Sequence, residues 1–212
     1  MNTGEIIGTV KLGWGDDIVD NRNGRIIGQV QMDDGDNLFD GGSLAETVKS
    51  GKGLDTLRGG DGNDRLTSGS SHDQLFGGAG DLLDGGADND DLQGGAGADT
   101  IIGGDGTDQM AGGAGRDRFV FLSAADSDSG QAPDQIADFQ RGVDEIDLTG
   151  FVAPSCRFVG TDAFTGGGTA SFGYDLRQGL VELRVDLDGD SATDFWIDLM
   201  GLRALAASDI LI

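Results

Sequence analysis

The sequence predicts an all-β protein made of stacked nine-residue coils and closed by a C-terminal cap. Three observations support this fold class. A nine-residue unit recurs from residue 32 to residue 120, and its eighth position is apolar in every unit. The sixth position is acidic in every unit but the first, and glycine dominates positions one, two and four. Internal repeats at a short fixed period are the signature of solenoid folds.

The nine positions predict a turn over the first six and a very short strand over the last three. Glycine permits the positive φ angles and the close backbone approach of a tight loop. Side chains alternate along a strand, so the eighth side chain points inward while the seventh and ninth face water. Stacked coils should therefore share one inner apolar column: Phe39, Val48, Leu57, Leu66, Leu75, Leu83, Leu92, Ile101, Met110 and Phe119.

The sixth-position carboxylates predict cation sites along the edges of this stack. One inward aliphatic side chain per coil does not offset the entropy lost on ordering nine residues. Stacked carboxylates also repel one another unless a cation lies between them. Oxygen ligands favour a hard cation, and a flexible cage of many ligands suits calcium better than magnesium. The alternative is a flexible linker that binds nothing, but a linker does not need an apolar residue at every ninth place.

The units starting at residues 59, 94, 103 and 112 resemble the RTX (repeats-in-toxin) nonapeptide, Gly-Gly-x-Gly-x-Asp-x-U-x, where U is a large apolar residue. The units at 41, 50, 77 and 85 match it in part, the unit at 68 lacks two glycines, and the unit at 77 is one residue short. The resemblance implies a parallel β-roll in which two nonapeptides make one turn and each calcium ion lies between neighbouring loops. One edge would then hold Glu46, Asp64, Asp81, Asp99 and Asp117, and the other Asp55, Asp73, Asp90 and Asp108.

The same resemblance implies that the metal ligands come from positions two, four and six, with Asp88 at position four of its unit. About six to eight calcium ions would cancel about half of the net charge of −24. The expected ligands are Gly51, Gly53, Asp55, Gly60, Gly62, Asp64, Asp73, Gly78, Gly80, Asp81, Gly86, Asp88, Asp90, Gly95, Gly97, Asp99, Gly104, Gly106, Asp108, Gly113, Gly115 and Asp117.

Composition limits the classes of function and partner. The chain has 40 glycines and two prolines among 212 residues, which indicates a regular glycine-built array and not a disordered chain. Its acidity makes nucleic acid and anionic membranes poor partners, and self-repulsion should expand the chain without calcium. Cys156 is the only cysteine, so no internal disulfide is possible. No apolar run approaches ~18 residues, so we expect no membrane insertion.

The chain is predicted to divide into three regions. Residues 1–31 read as degenerate coils, with Asp17 at the acidic position and Val19 and Val30 pointing inward. Residues 32–120 form the roll, where Asn37 takes the sixth position of the first unit as a neutral ligand. Residues 121–212 form a β-sandwich-like cap, which the open end of a repeat array needs.

Beyond Val120 the period stops and alternating segments predict strands. These segments are residues 134–139, 142–148, 157–159, 180–186 and 194–199, and residues 123–133 read as a loop. This half resembles the C-terminal domain of serralysin-type proteases and related type I secreted proteins. The resembling stretches are Asp117-Arg-Phe-Val-Phe121, Asp134-Gln-Ile-Ala-Asp-Phe139, Asp144-Glu-Ile-Asp-Leu148 and residues 186–195.

Two further motifs lie in this half. One is an acidic loop that resembles Asp-x-Asp-Gly-Asp calcium loops, with Gly189 at its centre. Its predicted metal ligands are Asp186, Asp188, Asp190 and Asp194, and the alternative is a solvated hairpin turn.

The other motif is the C-terminal tail, residues 209–212, in which an acidic residue precedes three apolar residues. In the family such a tail resembles the address read by the type I export machinery, which implies a secreted, extracellular protein without an N-terminal signal. A last strand is the alternative, and the two are compatible.

No catalytic constellation emerges from the remaining residues. His72 is the only histidine and is expected at the surface, so the His-Glu-x-x-His zinc motif of the proteases is absent. Cys156 is expected to be a buried inert thiol, and Trp14 and Trp196 to pack in the core or cap. We expect a noncatalytic module in this chain, although a catalytic domain could lie upstream in a longer protein.

Two hypotheses of function remain at this stage. The favoured one is a calcium-binding module that folds on extracellular calcium and supports type I secretion. The alternative is a carbohydrate-binding or adhesion module of a larger secreted protein or enzyme, contacting polysaccharide. That alternative needs a basic or aromatic stripe, and the only clustered cations of the roll are Lys49, Lys52, Arg58 and Arg65.

Overall fold

A computed structural model of the chain describes residues 1–127 and 132–212, and within them it contains no α-helix. The predicted loop at residues 123–133 lies partly outside the described residues. The strands are β1 (Glu5–Ile7), β2 (Val10–Lys11), β3 (Ile18–Asp20), β4 (Arg25–Ile27), β5 (Gln29–Asp33), β6 (Leu38–Asp40), β7 (Thr47–Ser50), β8 (Thr56–Arg58), β9 (Arg65–Ser70), β10 (Gln74–Ala79), β11 (Leu82–Ala87), β12 (Asp91–Ala96), β13 (Thr100–Asp105), β14 (Gln109–Ala114), β15 (Arg118–Val120), β16 (Asp134–Ile136), β17 (Glu145–Asp147), β18 (Arg157–Gly160), β19 (Ser171–Arg177), β20 (Leu180–Asp186), β21 (Phe195–Met200) and β22 (Ile210–Leu211).

Successive repeats alternate between two parallel sheets, as the β-roll prediction requires. One sheet runs β18-β19-β20-β21-β16-β14-β12-β10-β8-β6-β3, and the other runs β2-β5-β7-β9-β11-β13-β15-β17-β22. Within the first sheet, Leu57, Leu75 and Leu92 pair in register on neighbouring strands, and each is two repeat units from the next. Two nonapeptides therefore make one turn, and the predicted all-β parallel roll is confirmed. Among the described residues, no helix has the length and apolar character needed to span a membrane.

The apolar core is one column that runs through the roll and into the C-terminal region. All ten predicted eighth-position side chains are at most 1% exposed. The column continues through Ile136 and Ile146 to Leu183 and Phe195, and each of these four side chains is fully buried. The ring of Phe121 contacts that of Phe195 edge-on, with centroids 5.2 Å apart. Continuous burial of this kind supplies the packing that an isolated coil lacks.

The prediction of a six-residue turn and a three-residue strand is wrong for the central coils. From β9 to β14 each strand is six residues long and includes the first three positions of the next unit. Gly69 pairs with Gly86, and Gly86 with Gly104, so these glycines stack backbone on backbone. Without side chains between them, neighbouring coils remain close enough for the ladder of hydrogen bonds to continue.

The C-terminal region first extends both sheets with parallel strands and then ends one of them with antiparallel strands. Strands β16 and β17 pair in parallel with β14 and β15, and β21 and β22 pair in parallel with β16 and β17. Strands β19, β20 and β21 then form an antiparallel meander. The five predicted segments each contain a strand, whereas β19 was not predicted because Gly173 and the polar residues near it weaken its alternation.

The N-terminal residues form short strands that extend both sheets of the roll. Val19 pairs with Phe39 and Val30 with Val48, which continues the inner column. The prediction that Trp14 packs in the core or cap is wrong, because its side chain is 91% exposed. It lies between Gly13 and Gly15, both with positive φ, in a bend that turns the ring away from the coil. Trp196 is half-buried on β21.

Candidate functional site

Two columns of carboxylates run along the two edges of the roll, one per edge. We call them the Asp64 column and the Asp55 column. In each column, the backbone N–H of one sixth-position residue donates to the Oδ1 atom of the sixth-position aspartate two units later, which is one full turn of the roll. These donor–acceptor distances are 2.6–3.0 Å. The Asp64 column contains Glu46, Asp64, Asp81, Asp99 and Asp117, and the Asp55 column contains Asp55, Asp73, Asp90 and Asp108.

The second oxygen of these aspartates is buried and has no hydrogen-bond partner. Buried polar atoms in proteins are nearly always paired, and leaving one unpaired costs about 1–3 kcal/mol. A regular column of such atoms therefore indicates that a group is bound there in the functional state. The unpartnered Oδ2 atoms in the two columns belong to Asp55, Asp64, Asp73, Asp81, Asp90, Asp99, Asp108 and Asp117.

In six of the eight units a first-position glycine leaves a small space beside the unpartnered oxygen, while the units of Asp55 and Asp73 begin with Ser50 and Ser68. A Cβ atom on Gly94 would lie 2.6 Å from Oδ2 of Asp99 and 2.7 Å from the carbonyl oxygen of Gly112. On Gly77 it would lie 2.5 Å from Oδ2 of Asp81 and 2.7 Å from the carbonyl oxygen of Gly94. Calcium–oxygen distances in proteins are 2.3–2.6 Å, so carboxylate and carbonyl oxygens border a space that fits a hard cation.

Burial raises the pKa of the column carboxyls above that of a free aspartate. Desolvation is the main cause throughout, and it raises the pKa of Asp73 to about 7, of Asp90 to about 8 and of Asp81 to about 6. Repulsion between neighbouring carboxylates of one column adds to it, as for Asp90 between Asp108 and Asp73. Hydrogen bonds from the backbone oppose the shift without cancelling it. Without a cation, Asp90 favours the protonated form at neutral pH, whereas Asp81 still favours the charged form.

The N-terminal ends of the columns carry neutral amides. Asn37 accepts the N–H of Asp17 at 3.0 Å, and its own side-chain amide donates to the carbonyl oxygen of Gly35 at 2.8 Å. On the other edge, the buried Asn21 amide donates to Glu46 at 3.1 Å. The predicted place of Asn37 is therefore the observed one, while the contribution of Asn21 was missed.

The C-terminal ends recruit two aspartates from outside the repeats, and the sequence analysis missed both. Asp134 accepts the N–H of Asp108 at 2.7 Å, and Asp144 accepts that of Asp117 at 3.1 Å. A signal for them exists in the sequence. Each lies two residues before an inward isoleucine, Ile136 or Ile146, which is the spacing of positions six and eight in the repeats.

The irregular units do not interrupt the columns. In the short unit, Asp81 still accepts the N–H of Asp64 at 2.7 Å, and the missing fifth position brings the Gly80 N–H to Oδ1 of Asp99 at 3.0 Å. In the units starting at residues 68 and 85, Ser71 and Asp88 replace the fourth-position glycine and adopt positive φ angles of 89° and 72°. The backbone path is therefore conserved at a local cost in strain.

The glycines expected as ligands at position four lie in the loops beside the columns, whereas those at position two of the central units lie within the strands, as Gly86 and Gly95 do. Gly97, for example, has a φ of 119°, and a Cβ atom there would meet the backbone nitrogen of Gly80 in the preceding coil at 2.6 Å. These positions thus need glycine for both conformation and close approach. The first-position glycines differ, since those at 77 and 94 have no positive φ and serve only to leave space. The sequence analysis did not single them out as part of the site.

The second acidic loop brings together three of its four predicted ligands. Carboxylate oxygens of Asp186, Asp188 and Asp194 lie within 4.8 Å of one another. Asp190 turns instead to the N–H of Ala192, at 2.6 Å. Asp186 also accepts the N–H groups of Gly189 at 2.7 Å and Ser191 at 3.1 Å, which is the hydrogen bonding of a hairpin turn. Both interpretations of the loop, metal site and solvated turn, fit this geometry.

The remaining singled-out side chains lie where the sequence predicts. His72 is exposed, and Cys156 is a buried thiol whose pKa is raised by desolvation. The carboxylate columns and the acidic loop are therefore the candidate sites.

Comparison with known proteins gives a family match over most of the chain. The family described as Peptidase M10 serralysin C terminal matches residues 37–212. Metalloprotease AprA of Pseudomonas entomophila is 37% identical over 91 residues, which cover 41% of this chain and 19% of that protein. Serralysin G of Dickeya chrysanthemi is 37% identical over 95 residues, covering 43% and 19%. The chain thus matches about a fifth of the length of these relatives.

The matches to solved structures are more distant. The AlgE6R3 subunit of the Azotobacter vinelandii mannuronan C5-epimerase has a TM-score of 0.42 at 21% identity, covering 93% of this chain and 78% of that one. The extracellular lipase LipA of Serratia marcescens has a TM-score of 0.33 at 15% identity, covering 83% and 40%.

Proposed function

Because the chain belongs to the Peptidase M10 serralysin C-terminal family, we propose that it is a noncatalytic calcium-binding RTX module that folds when it meets extracellular calcium. The observation that carries this proposal is the pair of columns of buried carboxylate oxygens without partners. In six of the eight units the oxygen borders a space beside a first-position glycine, and at Gly94 the two nearest atoms to that space are Oδ2 of Asp99 and the carbonyl oxygen of Gly112. Carboxylate and carbonyl oxygens are the ligands that calcium prefers.

Within this proposal, calcium ions lie between successive coils on both edges and replace the protons that the buried carboxyls otherwise hold. The ligands are the sixth-position acids with carbonyl groups of the glycine loops, and Asp186, Asp188, Asp190 and Asp194 are a separate candidate site. The ion supplies positive charge where like charges would otherwise face each other across one coil. The residues of the chain supply the spacing, the exclusion of water and the backbone hydrogen bonds that orient Oδ1.

Calcium concentration then acts as the folding switch. A site with a Kd of ~10⁻⁴ M gains roughly 1.8 kcal/mol at ~2 mM calcium and almost nothing at submicromolar levels. About six to eight such sites would add up to roughly 11–14 kcal/mol, which is comparable to the net stability of a typical domain, about 5–15 kcal/mol. The chain would remain expanded inside the cell, where calcium is scarce, and fold outside.

Type I secretion through the C-terminus is the second part of the proposal. The tail at residues 209–212 resembles the export address of the family, and in the folded state it is held as strand β22 against β17. Asp209 is 2% exposed and accepts the N–H of Ala206 at 2.8 Å. The tail would therefore be available to the export machinery only before folding, which fits a switch that operates outside the cell.

The test is far-ultraviolet circular dichroism of the calcium-stripped chain during titration with calcium, with magnesium as the control ion. We expect a cooperative transition from coil to β-structure in the submillimolar to millimolar range, absent with magnesium. Asp99→Ala should move the calcium midpoint upward, because it removes one column oxygen and leaves the Asp81 N–H without its acceptor. Asp162→Ala, at an exposed site in the cap, is the matched control. A chain already folded in excess chelator and unaffected by calcium would contradict the proposal.

A further inference from the structure

The unit that precedes the Asp55 column, residues 32–40, carries an amide where the later units carry a carboxylate. Asn37 is 2% exposed, and its N–H donates to Oδ1 of Asp55 at 2.9 Å, as the sixth-position N–H groups within the column do. Its own Oδ1 accepts the N–H of Asp17 at 3.0 Å. Because only the oxygen of an amide can accept such a bond, Nδ2 takes the place that the unpartnered Oδ2 has in the aspartates.

The loop around Asn37 has positive φ angles at the same two positions as the repeat loops. Asp33 at position two and Gly35 at position four have φ angles of 56° and 141°, and Gly95 and Gly97 at the same positions of a later unit have 110° and 119°. Aspartate rarely adopts such an angle, so the conformation of Asp33 is imposed by the coil. This unit therefore presents carbonyl groups at the two positions that are expected to supply calcium ligands.

The Asn37 amide binds both of these carbonyl groups. Its Nδ2 donates to the carbonyl oxygen of Gly35 at 2.8 Å and to that of Asp33 at 3.3 Å. The amide hydrogens carry partial positive charge, so they offer these oxygens what a cation offers elsewhere. Asn37 is also neutral, and it separates the carboxylate of Asp17, whose Oδ2 has no hydrogen-bond partner, from that of Asp55.

The Asp64 column begins in a similar way. Asn21 is fully buried and donates from Nδ2 to Oε1 of Glu46 at 3.1 Å, while its Oδ1 accepts the Nδ2 of Asn2 at 2.8 Å. The second oxygen of Glu46 accepts the N–H of Gly42 at 3.4 Å. Both oxygens of this first acid therefore have donors within the chain, whereas Oδ2 of Asp64 has none. Side-chain amides thus supply the donors at the start of both columns.

We propose that the side-chain amide of Asn37 takes the place of a calcium ion in its own unit, so that this unit is complete without metal. The proposal rests on the calcium-binding function proposed above, and it replaces the expectation that Asn37 is a neutral ligand. An ion that approached these carbonyls would meet N–H groups already bound to them. The unit therefore offers the next coil a backbone edge whose hydrogen bonds do not depend on calcium, whereas the units from Asp55 onward need the ion.

The test is the number of calcium ions that the full chain binds at saturating calcium, counted by native mass spectrometry. Asn37→Asp restores the acid of the repeats and removes the amide donor, so it should bind one ion more than the parent chain. Asn37→Ala removes the amide without adding a charge and should keep the parent's number. Asn63→Asp adds the same charge at an exposed fifth position of a later unit, and as the matched control it should also keep that number.

Calcium titration followed by circular dichroism gives a second readout. The steepness of the folding transition reports how many ions are taken up on folding, so the transition of Asn37→Asp should be steeper than that of the parent. Asn37→Ala leaves the Asp17 N–H and two carbonyl groups without their partner. Its transition should need up to about twofold more calcium at unchanged steepness, because the lost stability is spread over several ions.

The outcomes separate this proposal from the one it rests on. If Asn37 is a calcium ligand, Asn37→Ala binds one ion fewer than the parent and Asn37→Asp binds the same number, and either result overturns the proposal. Should Asn37→Asp not fold at any calcium concentration, the ion count of Asn37→Ala decides. A parent chain that binds no calcium refutes the proposed function itself.

Discussion

At the scale of single residues, the first-position glycines have the most specific task in the molecule. Gly94 has no positive φ, so its backbone conformation is open to any residue. A side chain is excluded there by lack of space, because a Cβ atom would lie 2.6 Å from Oδ2 of Asp99 and 2.7 Å from the carbonyl oxygen of Gly112. The same atoms are the candidate calcium ligands, so one methyl group at this position tests packing and metal binding together.

We predict that Gly94→Ala lowers the free energy of unfolding in saturating calcium by about 1–3 kcal/mol, the usual cost of overpacking a filled interior. It should also raise the calcium midpoint, because the methyl group displaces the ligand oxygens. Urea unfolding followed by circular dichroism measures the first effect. Gly4→Ala is the matched control, since the nearest atom to its Cβ is 4.0 Å away. Equal stability of the two variants would show that the space beside Asp99 is not restricted.

At the scale of elements, the last strand depends on one buried carboxylate. Asp209 accepts N–H groups of Ala206 at 2.8 Å and Gly142 at 3.1 Å, and it pairs with Arg141 at 3.3 Å. These bonds tie the short turn before β22 to the segment that leads into β17. A two-residue strand buries little surface, so its attachment relies on these polar contacts.

We predict that Asp209→Ala opens β22 while the rest of the roll stays folded. Loss of the carboxylate removes the acceptor of the half-buried Ala206 N–H, which costs up to about 1–3 kcal/mol, and it breaks the pair with Arg141, whereas the N–H of the exposed Gly142 can bond to water. Hydrogen exchange in calcium should show faster exchange of the Ile210 and Leu211 amides and unchanged protection of β20. Asp162→Ala serves as the control for removing a carboxylate from the cap surface. Unchanged protection of β22 would show that the pairing with β17 suffices.

At the scale of the whole molecule, the buried carboxyls couple folding to pH. The pKa of Asp81 is about 6, that of Asp73 about 7 and that of Asp90 about 8 in the folded chain, against 3.8 for an ordinary aspartate. The folded state therefore binds more protons than the unfolded state between pH ~4 and ~8, and the calcium-free fold loses stability as the pH rises through this range.

We predict that the calcium-stripped chain gains β-structure when the pH falls from 8 to 5, and that calcium binding near pH 7 releases protons. Circular dichroism at a series of pH values measures the first effect, and titration in unbuffered solution measures the second. At pH 5 the calcium midpoint should be higher than at pH 8, because the ion must displace protons. A calcium-free spectrum that does not change with pH would contradict the shifted pKa values.

The sequence by itself determined the repeated part of this protein. The two parallel sheets, the inner column from Phe39 to Phe119 and the alternation of acids between two edges all follow from positions six and eight of one short period. The sequence predicts these features because each repeat unit contacts only its neighbouring units. The spacing of residues within one unit therefore determines which residues touch.

Only the tertiary structure decided how the columns end and what surrounds each carboxylate. Asp134 and Asp144 join the columns across 26 and 27 residues of nonrepeating chain, and their different hydrogen bonds leave one end open and the other closed. The oxygen-lined space beside Gly94 arises between coils, and the exposure of Trp14 depends on the path of a glycine-flanked bend. These features depend on segments brought together by folding, and no period along the chain encodes them.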